Sequence, residues 1–504
     1  MTKSEALILL VNSMTKAEKR SFTSNSSSGR PTDYVILFEI INKNKAIIPS
    51  ALQEVFQEVQ PKANFNLTVN YLYKVLLDTL LALRENNDNT TYLNNQIGKA
   101  QILFEKAIYD EALDILDQVK EKARKLELEF IFLTAARLEL KFLHMLNFPN
   151  ISESELLSKH LQINESLKII RRVNEQSVLH ELMSHRVLYR ESVRSNKQKE
   201  ALNDLVVSEM SIMSASNIEN FEIKKLHQLF QSAYLINVGD YKSALRSYYE
   251  LNNLFEENSV FWANPPIYYM SVLEGILQSL RGIKEYDSMD YFINKIKSLS
   301  SYPFKDFQLH ILSVTLLYEL FPLLDRGDFK QAKEQIDNNW NFILEKEHLL
   351  PPNSRIEILL YLALAHFGLS QYKEAHKILN KVLLQSKNFY YTPLYRTIRL
   401  VKLMVLFELD ELDDYEFEVR SFSRSISQIK KAYRLEHIML RFFNKGRDMM
   451  RNKDKEWKKL EPILKEISND VYEKQILRLF DFTAWIESKM TNTGLKEVIK
   501  KHHC

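Results

Sequence analysis

Apolar residues recur every three or four positions along most of the chain, and the clearest run is Tyr361–Ser386, YLALAHFGLSQYKEAHKILNKVLLQS. Leu359, Leu362, Ala363 and His366 fall on one face of a first helix, and Tyr372, Ala375, Leu379 and Val382 on one face of a second. Gly368 and Ser370 sit where the first helix must stop. The run predicts two amphipathic helices joined by a tight turn. Ala375 stands where they cross, and only a small side chain lets two backbones approach there.

The same pattern returns along the sequence. Tyr109 precedes Ala112, Gly239-Asp240-Tyr241 precedes Ala244, Tyr286 precedes Met289, and Gly327-Asp328-Phe329 precedes Ala332. Ala201 and, more weakly, Tyr415 take the same place, and a degenerate unit is expected with its anchor near Leu156. From 112 to 415 the anchors recur about every 43 residues, and self-similarity at a fixed period marks a solenoid. Pro265-Pro266 and Pro393 fall where one unit hands over to the next. Pro322 falls inside a helix expected over Leu312–Leu324, which it should kink or split.

Small residues at the crossing, an aromatic opening the second helix and an alanine three residues later resemble the tetratricopeptide repeat (TPR). The resemblance covers about residues 93–430. It implies an all-α, right-handed superhelical solenoid of antiparallel helix pairs, and a scaffold that binds a protein or peptide partner on the repeat surface. The family period is about 34 residues. One extra turn per helix, at 3.6 residues per turn, accounts for most of the difference.

The two ends depart from the repeat. Thr15-Lys16-Ala17-Glu18 is a capping-box pattern, Ser21–Pro31 has a loop's composition, and helices are expected over Asp33–Asn42, Pro49–Val59 and Asn64–Arg84. Residues 1–87 therefore read as a helical cap, or as an adaptor of the kind that touches DNA in TPR-bearing regulators. Ten Lys/Arg against eight Asp/Glu give no strongly basic recognition helix there. After the array at 88–430, residues 431–504 read as three helices over Ala432–Met450, Lys455–Ile467 and Tyr472–Met490.

Composition narrows the chemistry. Only 9 of 504 residues are glycine, too few for the turns of doubly wound or all-β folds. The one cysteine, Cys504, allows no disulfide framework and no cysteine metal site. His180 and His185 are five apart on an expected helix, whereas ligands of one metal need four. No phosphate-binding glycine loop, dinucleotide fingerprint or nucleophile elbow is present. The reading is a non-enzymatic protein without cofactor or metal. The apolar run Ala6–Val11 is too short for a signal peptide, which leads to an expected cytoplasmic location away from membranes.

Charge is placed unevenly. Glu408–Glu418 holds seven acidic residues and no basic one, whereas Arg420–Leu460 holds 13 Lys/Arg and four Asp/Glu. Lys430, Lys431, Arg434, Arg441, Lys445, Arg447 and Arg451 make this stretch the candidate partner-binding face. Arg434, Arg441 and Lys445 share one side of a helix. Such a face suits phosphate or an acidic protein, or it is a solvated face partly neutralised by the acidic run beside it; nucleic acid is the alternative partner.

Overall fold

The computed structural model describes residues 2–26, 32–85, 88–189, 193, 196–214, 219–302, 304–345, 350, 352–384, 393–410, 412–428 and 432–503. Every regular element among them is helical, and the chain divides into two compact units, Met1–Ile170 and Arg171–Cys504. The boundaries expected near residues 87 and 430 both fall inside a unit.

The first unit opens with α1 (Lys3–Ser13), α2 (Lys16–Ser26), α3 (Asp33–Lys43), α4 (Pro49–Val59) and α5 (Phe65–Glu85). Two capping boxes start it. Glu5 N donates to Thr2 Oγ1 at 3.2 Å and Thr2 N to Glu5 Oε2 at 2.7 Å. Thr15 and Glu18 repeat the exchange at 3.2 and 2.6 Å. Of the apolar run Ala6–Val11, Leu7, Ile8 and Val11 form the buried stripe of α1, a helix the sequence pattern did not reveal. Likewise α2 continues through Ser26, into the stretch expected to be loop; residues 27–31 lie outside the described residues. Leu7, Phe22, Phe38, Phe56 and Leu72 close a separate core over these helices. Two further hairpin elements follow: α6 (Asn89–Glu105) with α7 (Tyr109–Lys125), then α8 (Glu129–Met145) and the long α9 (Glu153–Tyr189), in which the unit boundary falls. Leu156, the expected degenerate anchor, is the fourth residue of α9 and packs on the core of that hairpin.

The second unit continues with α10 (Asn196–Glu200) and α11 (Asn203–Ser214). Then come the pairs α12 (Phe221–Asn237) with α13 (Tyr241–Glu257), and α14 (Ile267–Gly282) with α15 (Met289–Ser298). Next are α16 (Lys305–Asp325) with α17 (Phe329–Glu345), and α18 (Pro352–Gly368) with α19 (Tyr372–Leu384). The series closes with α20 (Pro393–Leu409), α21 (Leu412–Gln428), α22 (Arg434–Arg451) and α23 (Lys453–Asn469). From α12 to α23 consecutive helices are the dominant packing partners, as they are from α6 to α8.

One turn geometry joins the pairs. Ala107, Gly239, Lys284, Gly327 and Ser370 all have φ between 60° and 81°. Each stands two residues before the next helical segment. The following N–H donates five residues back: Ile108 to Leu103, Asp240 to Leu235, Glu285 to Leu280, Asp328 to Leu323 and Gln371 to His366, at 2.7–3.0 Å. This double-bonded helix end satisfies the orphan carbonyls and favours glycine at its left-handed position. Glycine stands there at 239 and 327, and three other hairpins manage without it. Ala107→Gly is therefore expected to stabilise. The left-handed strain of about 1–2 kcal/mol outweighs glycine's extra chain entropy of about 0.5–1 kcal/mol, and the gain is read as a raised melting temperature of the full chain.

Inside the hairpins, Ala112, Ala244, Ala332 and Ala375 are each the fourth residue of the second helix and fully buried. Met289 takes the corresponding place at 1% exposure. Tyr415 stands fourth in α21, with its hydroxyl donating to the Phe443 carbonyl at 2.6 Å. Ala201 departs from its expected place. It is exposed in the turn between α10 and α11, and the larger Leu202 beside it enters the core instead. Three of the aromatics that open second helices dock on the end of the first helix of the next pair, whereas Tyr109 and Tyr372 pack beside Phe104 and Phe367 of their own first helix. Tyr241 covers Gly282 and Phe329 covers Gly368, while Tyr286 donates its hydroxyl to Asp325 at 3.0 Å.

In the second unit the first helices of the pairs from α14 to α20 form the inner layer. In α16 and α18 nearly every side of the helix is buried, whereas α13 and α19 keep a solvent face. α16 is long and apolar enough to span a bilayer by length and composition, yet 67% of that window is buried in the unit, as befits a core helix. Pro322 does not split it and lies one turn from its end. The helix expected over Tyr472–Met490 is broken into α24 (Lys474–Leu477) and α25 (Phe482–Thr491), since Asp481 caps the latter by accepting from Ala484 N at 2.9 Å. A last helix, α26 (Leu495–His503), follows. One continuous core runs from Phe221 to Ile499.

Candidate functional site

Two surfaces of the second unit concentrate charge. The first is the basic stretch read from the sequence. Arg434, Arg441, Lys445 and Arg451 are exposed on α22, and Arg447 lies in the same helix; Lys430 and Lys431 lie outside the described residues. The opposite side of α22 buries Leu435, Met439, Phe442 and Phe443. Its N-terminus is fixed by Glu473, whose carboxylate accepts from Arg434 N at 2.7 Å and Leu435 N at 3.1 Å. Lys455, Lys458 and Lys459 add exposed charge on α23. Part of this charge is answered locally, by Glu466 on Arg434 at 2.8 Å and Glu456 on Lys459 at 2.5 Å.

The second surface left no trace in the sequence pattern. A cavity of about 750 Å³ lies between the turns after α14 and α16, the inner side of α23, and the segment running from α24 to α26. The structural signature residues Tyr241, Tyr286 and Phe329 line it, so the turn motifs also build a wall. Arg281, 5% exposed, is its centre. The guanidinium donates to both Asp325 oxygens at 3.0 Å, to Tyr361 Oη at 3.1 Å and to the Arg478 carbonyl at 2.7 Å. It also lies 3.7 Å over the Phe321 ring. Burial pushes the Tyr361 hydroxyl up to about 12, against the pull of Arg281, so it stays protonated. Next to this network Glu274 is pushed up to about 7 by burial and by Glu357.

The far wall is held by His502. Its Nδ1 meets Asp481 Oδ2 at 2.8 Å and its Nε2 meets Glu487 Oε2 at 3.0 Å. The hydrogen bond to Asp481 raises the imidazole above its ordinary value, with Glu487 adding to it, while both carboxylates are held low against their burial. Lys501 adds a bond to Glu487 at 2.8 Å. Through these contacts α26 is fastened to α25. His503 works the other way: burial first, then Lys284, favours its neutral form.

The signs give a pH window. The imidazolium contribution is complete below the ordinary histidine value of 6.5 and fades as pH rises through the raised folded value. The carboxylate contributions are present above 3.8 and 4.5 and fade on acidification. The stability advantage of wild type over His502→Gln is therefore expected to peak between about pH 4.5 and 6.5 and to shrink toward pH 8. Thermal melts of the two proteins across that range check it, and the difference cancels His503.

His180 and His185 both lie on α9, and burial lowers the His180 value. Among the described residues no group of three or more His, Cys, Asp or Glu could hold a metal ion.

No family model and no curated protein matches the chain.

Proposed function

We propose that the chain is a TPR-like, non-enzymatic scaffold of the cytoplasm that binds an acidic protein partner on the α22–α23 face. The observation that carries this is the pairing of exposed Arg441, Lys445 and Arg451 with a fully packed opposite side of the same helix. A rigid helix presents its cations without having to order itself first, which saves association entropy. Opposite charge across the interface speeds encounter and excludes wrong partners. The consecutive helix pairs α6–α7 and α12–α21 support the TPR-like reading.

The test is capture from native lysate with wild type and with the Arg441→Glu/Lys445→Glu variant, each with and without nuclease, read by mass spectrometry. A discrete acidic protein that survives nuclease and is lost with the variant supports the proposal. Capture that collapses on nuclease treatment moves the assignment to nucleic acid, whose phosphates suit the same face. Capture unchanged by the charge reversal removes this face from consideration.

A further inference from the structure

The cavity between the hairpin turns and the C-terminal helices has an unbalanced wall. Each of its carboxylates is already engaged within that wall. Arg281 and Tyr286 hold Asp325, His502 holds Asp481 and Glu487, and Lys465 meets Glu461 at 2.8 Å. Three of its cations are different. Lys284 reaches only the His502 carbonyl, at 3.4 Å. Arg478 lies 5.3 Å over the Tyr241 ring, and Gln278, its amide oriented with the oxygen toward Arg478, accepts at 2.9 Å. Lys474 is exposed, one helical turn before Arg478. Among the described residues none of the three has a carboxylate within ion-pair distance; Glu357 feels Arg478 only from farther away.

We propose that this cavity binds a small organic phosphate carrying at least two negative charges. Its volume of about 750 Å³ falls in the range of sites that enclose a nucleotide-sized molecule. Lys284, Lys474 and Arg478 supply the donors for the phosphate oxygens, and charged hydrogen bonds of this type are the strong ones. Trp457, half-buried in the wall, offers an apolar face to the organic part. The site is distinct from the α22–α23 face and stands or falls independently of it.

Calorimetric titration of the full chain with ATP, pyrophosphate and citrate tests the assignment. Saturable binding of ATP is expected to exceed that of pyrophosphate. Lys284→Gln/Lys474→Gln is expected to weaken both by about tenfold or more, the equivalent of one lost charged hydrogen bond. Both lysines are exposed, so the variant's melting temperature should match wild type and show that the fold is kept. Citrate binding as tight as pyrophosphate would overturn the phosphate chemistry. Equal affinity for ATP and pyrophosphate would overturn the organic part. Binding unchanged in the double variant, or none at millimolar ligand, would overturn the site.

Discussion

Replacing Arg281 with methionine is expected to destabilise the second unit by about 3–5 kcal/mol, the cost of stranding one member of a buried ion pair. Methionine replaces the stem, but Asp325, only 17% exposed, then keeps its charge with Tyr286 alone. The Tyr361 hydroxyl and the Arg478 carbonyl lose their donor as well. Urea unfolding of the full chain measures the loss. The pair as a whole is a different matter, since charges taken out of water cost nearly what their attraction returns. Arg281→Met combined with Asp325→Leu should therefore recover much of the deficit. A single variant within about 1 kcal/mol of wild type would show that water reaches Asp325 freely.

Gly368→Ala should cost about 3 kcal/mol or more, at or beyond the upper end of ordinary overpacking. A Cβ at this position would lie 2.2 Å from Cγ and Cδ1 of Phe329. The ring is 3% exposed and opens α17, so it cannot swing aside without moving that helix. Gly98→Ala is the control with the opposite sign. A Cβ there meets nothing within 4 Å, in the middle of α6. Relief of the glycine penalty should stabilise by up to about 1 kcal/mol. Melting curves of both variants separate the two effects.

The hairpins were legible because their signals are local. An aromatic opening a helix and an alanine three residues later mark Ala112, Ala244, Ala332 and Ala375, and all four are buried at crossings. Ala201 shares the residue type but not the surroundings, and a small exposed side chain looks the same in sequence as a small buried one. Gly368 reads as a helix stop. Its neighbour Ser370 takes the left-handed turn, and the glycine makes room for a ring 39 positions earlier. The basic stretch was visible as a charge count, and its helical phase put Arg441 and Lys445 outward. The cavity was not visible at all. Arg281 meets a carbonyl 197 residues away, and no periodicity within a window of one helix records such a contact.

Those distant contacts also set a clock. Gln475 donates to the carbonyls of Val193 and Asn237, 282 and 238 residues earlier. At a synthesis rate of about 5–20 residues per second, the earlier hairpins wait on the order of ten to sixty seconds for the segment that closes over their turns. A nascent chain paused before residue 470 presents those turns and the apolar helix ends beside them to whatever binds unfinished proteins. Until that segment has been made, the second unit lacks the contacts that close over its turns.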